Sequence, residues 1–333
     1  VAGSWKKTEH AVNQILKEVK INYESYGLPE IIRQPINCIS RRGRIYMALS
    51  LLDRLKERKY VIVDNNNLSI LNPITVQYSV AVRKALAVKK LLEEVPVRIL
   101  DGELFAGLRP QMKMPEYATK QEKERAWNVA QLTPDIIYGH NSPSYRMMLE
   151  KGFKGVIGEL DRLQAAETDE QKNDYREAMK ISCEAVIAYA NRYANEAESL
   201  AEKETKVNRK KELERMADAC SRVPENVPEN FFEALQAVWI VYSVLRITGH
   251  TLVQLGRFDQ YLYPFYKKDM EAGVLTREEA KTYLLDFWIK CNMTDYIEKN
   301  PKTAPEEKKA KRTEVMEDSK KVYMGTGAGE EIG

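Results

Sequence analysis

A mainly α-helical fold with a few strands is what this sequence predicts, and three observations carry the prediction. Apolar residues recur every three or four positions over much of the chain, the period of a helix with one buried face. The segments so marked are punctuated by proline and opened by Thr-x-x-Gln or Thr-x-x-Glu capping signals. One short stretch, Leu104 to Gly107, is the best strand candidate.

Between about Trp5 and Tyr23, residues Val12, Ile15, Leu16 and Val19 form one stripe with Lys and Glu between them, and Ile45, Ala48, Leu51, Leu52 and Leu55 form the next. A third helix is predicted from Val76 to Glu94, stopped by Pro96, which lacks the N–H that a continuing helix uses. Val97 to Gly107 then sets β-branched and apolar residues around an Asp101-Gly102 turn signal. The polar, proline-interrupted stretch that follows to about Pro134 reads as a loop-rich excursion.

The longest helix is predicted to begin at Thr168, with Gln171 completing a capping box, and to run through Tyr175, Met179, Cys183, Val186, Tyr189 and Tyr193 toward Glu204. Beyond Pro224 and Pro228, Phe231, Leu235, Val238, Tyr242 and Leu245 mark another helix. Ala234, Ala237, Trp239, Ile240, Val241 and Val244 fill its remaining faces, so it is predicted to be buried between layers. Thr276 and Glu279 open a helix that continues through Leu284, Leu285 and Trp288 to about Cys291. The nearly unbroken charge of residues 298–321 reads as a solvated helix or an insertion, because its acidic residues offset its lysines. The glycine-rich Met324–Gly329 lacks the following helix that a phosphate loop needs and reads as the approach to a strand.

Composition narrows the function classes. Lys and Arg total 52 against 49 Asp and Glu, a net charge of +3 over 333 residues, which offers no field for nucleic acid or an anionic membrane. No apolar run approaches the roughly 18 residues of a membrane span, so a cytoplasmic protein is expected. Cys38, Cys183, Cys220 and Cys291 are scattered without a Cys-x-x-Cys pair, and His10, His140 and His250 lie far apart, so spacing supports no metal site.

Two segments are distinctive. The run Gly249-His250-Thr251-Leu252-Val253-Gln254-Leu255-Gly256-Arg257-Phe258-Asp259-Gln260-Tyr261-Leu262-Tyr263-Pro264-Phe265-Tyr266 leads to Lys268-Asp269 and then Phe287-Trp288-Ile289-Lys290. It resembles the "GRxDQYLYPxYxxD … FWIK" block of glycyl radical enzymes of the pyruvate formate-lyase-like superfamily. Arg98 to Gly107 is similar to that family's early "dgEL" strand, and Tyr138-Gly139-His140 with Leu149–Gly155 is similar to its "GH … LxxGlxG" stretch. The Gly-Arg-Phe-Asp-Gln-Tyr run looks more like the dehydratase, choline-lyase and arylacetate-decarboxylase members than like pyruvate formate-lyase itself.

The resemblance implies residues 1–333 as a partial pyruvate formate-lyase-like domain, the N-terminal part of a ten-stranded α/β barrel wrapped in helices. It also implies a lyase or dehydratase of anaerobic metabolism that acts on a small polar substrate by thiyl-radical hydrogen abstraction. The glycyl radical is installed by a separate S-adenosylmethionine/iron–sulfur activating enzyme, and no other cofactor or metal is bound. The family's Gly-Cys-x-Glu and Arg-Val-x-Gly-Tyr motifs do not occur here. They are expected beyond Gly333, so this chain holds no catalytic residue and is expected to be inactive alone. Its expected partners are the C-terminal half, the activating enzyme, the substrate and a second copy in a homodimer. A non-catalytic scaffold or regulatory subunit from the same family is the alternative.

By the same resemblance Tyr138, His140, His250 and Thr251 are candidates to contact substrate. Arg257 and Asp259 are expected to be a buried structural pair, and Glu103 a buried acceptor beside a barrel strand. Trp239, Trp288 and the tyrosine stripe are expected in the core. Should the other half be absent, apolar surface near Leu104–Gly107 and Phe231–Leu245 is expected to be exposed or covered by another chain.

Overall fold

In a computed structural model the described residues are 68–99, 102–108, 114–130 and 137–292. The two N-terminal amphipathic segments, Cys38 and the charged run 298–321 lie outside them. The described residues are mainly helical: α1 (Val80–Glu94), α2 (Lys120–Ala130), α3 (Tyr145–Ala165), α4 (Glu170–Lys203), α5 (Val207–Arg222), α6 (Phe231–Ile247), α7 (Phe258–Glu271) and α8 (Arg277–Asn292). Two strands, β1 (Ile137–Asn141) and β2 (His250–Val253), pair in parallel.

Helix α6 is the centre. Phe231, Phe232, Leu235, Val238, Trp239 and Tyr242 join α3, α7 and α8 in one core, while Ile240, Val244 and Ile247 serve a second core with α1, α4 and α5. Both faces being in demand explains its nearly continuous apolar sequence, as predicted. Its N-terminus is held twice: Glu233 N–H donates to the Asn230 side chain at 2.9 Å, and Phe231 N–H donates to buried Asp269 Oδ2 at 2.7 Å. Asp269 thus presents an acceptor where the helix has unsatisfied N–H groups and partial positive charge.

Residues 103–108 run buried beside α6 but form no strand. The expected strand at Leu104–Gly107 is corrected by the identity of its hydrogen-bond partners, which are side chains. Ala106 N–H donates to Gln236 Oε1 at 2.8 Å and Ala106 C=O accepts from Gln236 Nε2 at 2.9 Å. Asp286 accepts from Leu104 N–H, Tyr193 O–H oxygen from Leu108 N–H, and Trp239 Nε1 donates to Gly107 C=O at 3.0 Å. A Cβ on Gly107, whose φ is +128°, would lie 2.7 Å from Trp239 Nε1. Glu103 is a fully buried acceptor, as expected: Lys290 Nζ donates to its Oε1 at 2.7 Å, and Lys290 also lies over the Trp239 ring. Arg209 closes on the Glu103 carbonyl at 2.7 Å.

Helix boundaries follow local chemistry. The helix predicted from Val76 starts later than expected, at Val80, because Ser79 caps it and Thr75–Gln77 forms a separate 3-10 turn. The long helix α4 is capped by Asp169 rather than Thr168: its carboxylate accepts from Gln171 and Lys172 N–H, the stronger charged cap one residue on. Thr276 and Glu279 form the predicted box. Helix α2 falls where a loop was expected. Thr119 and Glu122 make a reciprocal box at its start, and buried Arg83 holds Glu122 from α1, which keeps that carboxyl low, at about 2. Trp239 is buried as expected, but Trp288 on α8 is exposed, and so are Tyr175 and Met179, where the N-terminal turns of α4 extend past the core. The apolar surfaces of Leu104–Gly107 and α6 are covered by this chain's own helices, contrary to the expectation of an open face.

Helix α3 bends at Gly152, where φ is 64° and ψ 163°. There Phe153 and Lys154 N–H donate to the Pro224 and Glu225 carbonyls at 2.9 Å, and a Cβ would come within 2.5 Å of the Glu225 oxygen. Gly152→Ala is therefore expected to cost about 1–3 kcal/mol from backbone strain alone, with the clash adding to it; an unchanged urea midpoint would contradict this. Lys290→Met strands the Glu103 carboxylate and is expected to cost about 3–5 kcal/mol. The double variant Glu103→Leu/Lys290→Met should recover much of that loss, whereas purely additive losses in the same unfolding assay would show that the pair is not coupled.

Candidate functional site: the β1–β2 ribbon

The two segments that carry the candidate substrate residues are the two strands. Register pairs Ile137 with His250, His140 with Leu252 and Asn141 with Val253. Two residues of β1, Tyr138 and Gly139, therefore stand against one of β2, Thr251. That extra residue is a bulge, the device by which a strand re-aims the positions beyond it. Val253 is buried in the core shared by α3, α6, α7 and α8. The register sets the His140 and His250 segments side by side on adjoining strands. Tyr138, at the bulge, has no assigned partner.

Chain geometry explains why the strands meet. Strand β2 follows directly from α6, whose end is closed by Thr248, its hydroxyl donating to Val244 C=O at 2.9 Å. Gly249, with φ 94°, turns the chain into the strand. Strand β1 leads into α3, which packs on α6 and α7. Past the strands, Gln254 N–H donates to Asn141 C=O at 2.8 Å and Ser142 O–H to Gln254 Oε1 at 2.8 Å, locking the register.

His250 is half-buried. Its Nδ1 is buried and has no hydrogen-bond partner among the described residues. Burial, with a smaller contribution from Lys84, pushes its pKa below the ordinary imidazole value. Arg246 Nη1 donates to the His250 carbonyl at 3.4 Å. Neither Arg246 nor Lys84 was singled out by the sequence; Arg246 was legible only as a basic residue in the last turn of a helix.

Arg257 and Asp259 do pair, at 3.2 Å and 3.1 Å, but they are 70% exposed at the entry to α7. The expected burial is corrected: Gly256 turns the chain outward before α7, so the pair is solvated and does not belong to the ribbon. Cys183, Cys220 and Cys291 are on α4, α5 and α8. Burial pushes the Cys183 thiol up to about 11 and the Cys220 thiol higher still. These two are packing thiols and poorly disposed to reactivity.

Residues 115–308 match the family model described as pyruvate formate lyase-like. The chain belongs to that family. It is the glycyl radical enzyme superfamily, and this chain falls on its dehydratase branch. The isethionate sulfite-lyase of Oleidesulfovibrio alaskensis is 41% identical over 163 residues, 46% of this chain and 19% of the lyase. A Roseburia inulinivorans structure described for 1,2-propanediol dehydration is 31% identical with a TM-score of 0.56, covering 65% of this chain and 34% of that one. A glycyl radical enzyme from Archaeoglobus fulgidus is 29% identical with a TM-score of 0.56, covering 68% and 38%. The pyruvate formate lyase-like chain is thus partial in length beside its relatives. Among its described residues, no helix is long and apolar enough to cross a membrane.

The depressed His250 pKa has a definite sign. Protonation favours the unfolded chain, so the stability His250 contributes is present above its unfolded value of about 6.5 and is lost as pH falls through the folded value. An NMR titration of His250 is expected to give a midpoint below about 6.5; a midpoint at or above it would contradict the burial account.

Proposed function

We propose that residues 1–333 are the N-terminal part of a glycyl radical lyase or dehydratase, and that the β1–β2 ribbon lines its substrate chamber. The parallel pairing of the Tyr138–His140 and His250–Thr251 segments is the observation that carries this reading. Two segments far apart in sequence, each resembling a substrate-lining stretch, meet at adjacent register positions. The ribbon would be one side of the family barrel, completed by the rest of the polypeptide. The relatives' names point to small substrates such as isethionate and 1,2-propanediol.

A glycyl radical in the remaining polypeptide, installed by the activating enzyme, supplies hydrogen abstraction. The residues of this chain have other work. Helices α3, α6, α7 and α8 close an apolar wall behind the ribbon and exclude water, which strengthens polar contacts to a bound molecule. His140 and His250 would orient a substrate hydroxyl or carbonyl. An imidazole of near-neutral pKa can accept a proton or relay one as a leaving group departs. Tyr138 and Thr251 remain secondary candidates. The chain alone is read as inactive, because the radical and its relay cysteine are assigned to the remaining polypeptide.

Anaerobic activation of the full-length protein with its S-adenosylmethionine/iron–sulfur partner is expected to give a glycyl radical doublet in electron paramagnetic resonance. His140→Ala is expected to leave that doublet and the thermal midpoint intact while cutting kcat/KM by about 10²–10⁴-fold, the range for a positioned acid–base group. A properly activated sample with no doublet would overturn the enzyme reading, and unchanged kinetics would remove His140 from the site.

A further inference from the structure

The two ring nitrogens of His250 stand on unequal terms. Nδ1 is buried and has no hydrogen-bond partner among the described residues, although the residue as a whole is only half-buried. Its place is fixed by the backbone: Gly249 makes the turn from α6, the His250 carbonyl accepts from Arg246 Nη1, and the register pairs His250 with Ile137. The charged groups that bear on this residue, Arg246 at its carbonyl and Lys84 on α1, are both donors only, so neither offers Nδ1 an acceptor. A neutral imidazole carries one N–H and one bare nitrogen. Burying an N–H without an acceptor costs about 1–3 kcal/mol. Orphaned N–H groups are accordingly rarer in folded proteins than under-satisfied acceptors. The proton therefore belongs on Nε2, and the sealed nitrogen stays bare.

We propose that His250 is locked as the Nε2–H tautomer and acts on the substrate only as a hydrogen-bond donor, so that the group it meets is an oxygen with a free lone pair. The proposal rests on the reading that the ribbon lines the substrate chamber, and it deepens that reading by giving His250 a protonation state and a role. Taking up a proton would place a second N–H at Nδ1, where nothing accepts it. The downward direction of the His250 pKa agrees. A neutral ring does not release its remaining proton in the physiological range. The proton relay proposed above for the histidines therefore falls to His140. Selectivity follows as well: a hydroxyl or carbonyl oxygen accepts from Nε2–H, whereas an ammonium group brings donors and no acceptor and is disfavoured at this position.

Nuclear magnetic resonance of the full-length, non-activated protein with isotopically labelled histidine tests this, the His250 signals being those missing from His250→Gln or His250→Asn. At a pH of about 6.5, where an ordinary imidazole is half protonated, long-range proton–nitrogen correlations are expected to show a protonated Nε2 and a bare Nδ1. A proton on Nδ1, alone or together with one on Nε2, overturns the proposal. Isethionate and propane-1,2-diol, which both carry a hydroxyl, are the probes, and one that binds is expected to shift Nε2 and leave Nδ1 in place. The amide of His250→Gln reaches about as far as Nε2, and that of His250→Asn stops at the Nδ1 position. The probe should therefore bind His250→Gln within about threefold of the wild type and His250→Asn at least about tenfold more weakly. No Nε2 shift with either probe, or His250→Asn binding as well as His250→Gln, overturns the donor role. Should one variant fail to fold, the other assigns the signals and the wild-type pattern decides. The radical doublet is measured separately, so normal activation of a protein with Nδ1 protonated refutes the tautomer and leaves the lyase reading standing.

Discussion

Gln236 commits its whole side-chain amide to the backbone of Ala106, and the rest of the described architecture is arranged around that contact. A buried peptide group without partners is costly, on the order of 1–3 kcal/mol for each unsatisfied group. Residues 103–108 would carry several. They are spared because α4, α6 and α8 each send a polar side chain inward: Tyr193, Gln236 with Trp239, and Asp286 with Lys290. The same bonds tie those three helices to one another through a segment that belongs to none of them. A buried ion pair such as Glu103–Lys290 is weak evidence for net stability, but it does fix which groups face which.

That arrangement has a functional consequence. With α6 gripped along its length, its C-terminal end is fixed, and β2 begins three residues past it. Helix α3 is fixed in turn by packing on α6 and by its bend at Gly152 against the Val223–Pro224 turn. Strand β1, which leads into α3, is thereby delivered to β2. The ribbon does not need a large sheet to define its register; two helices anchored in the core define it from behind.

Much of this was legible in the sequence, and what was not has a physical cause. The 3.6-residue period found α1, α4, α6 and α8, and the Thr276–Glu279 pair marked a helix start within one residue. The all-round apolar face of α6 announced a buried helix. Leu104–Gly107 looked like a strand because extended, buried backbone has strand composition whatever its partners are, and nothing local reveals that Gln236, 130 positions away, takes the place of a neighbouring strand. Helix α2 was missed although Thr119-Lys120-Gln121-Glu122 is the same capping signal read correctly elsewhere. Its low apolar content hid it, since Arg83 rather than a hydrophobic stripe anchors its start. For the site, resemblance pointed to both histidine segments, but pairing between distant strands and a one-residue bulge have no local signature. Arg257 and Asp259 show the converse: a charge pair two residues apart was legible, its exposure was not.

Native-state hydrogen exchange at the Ala106 amide tests the central claim most directly. If side chains truly replace a sheet there, this amide should exchange only through global unfolding in the wild-type chain, and Gln236→Leu should let it exchange through a smaller, local opening. Rapid exchange at Ala106 in the wild type, or protection indifferent to Gln236→Leu, would contradict the account.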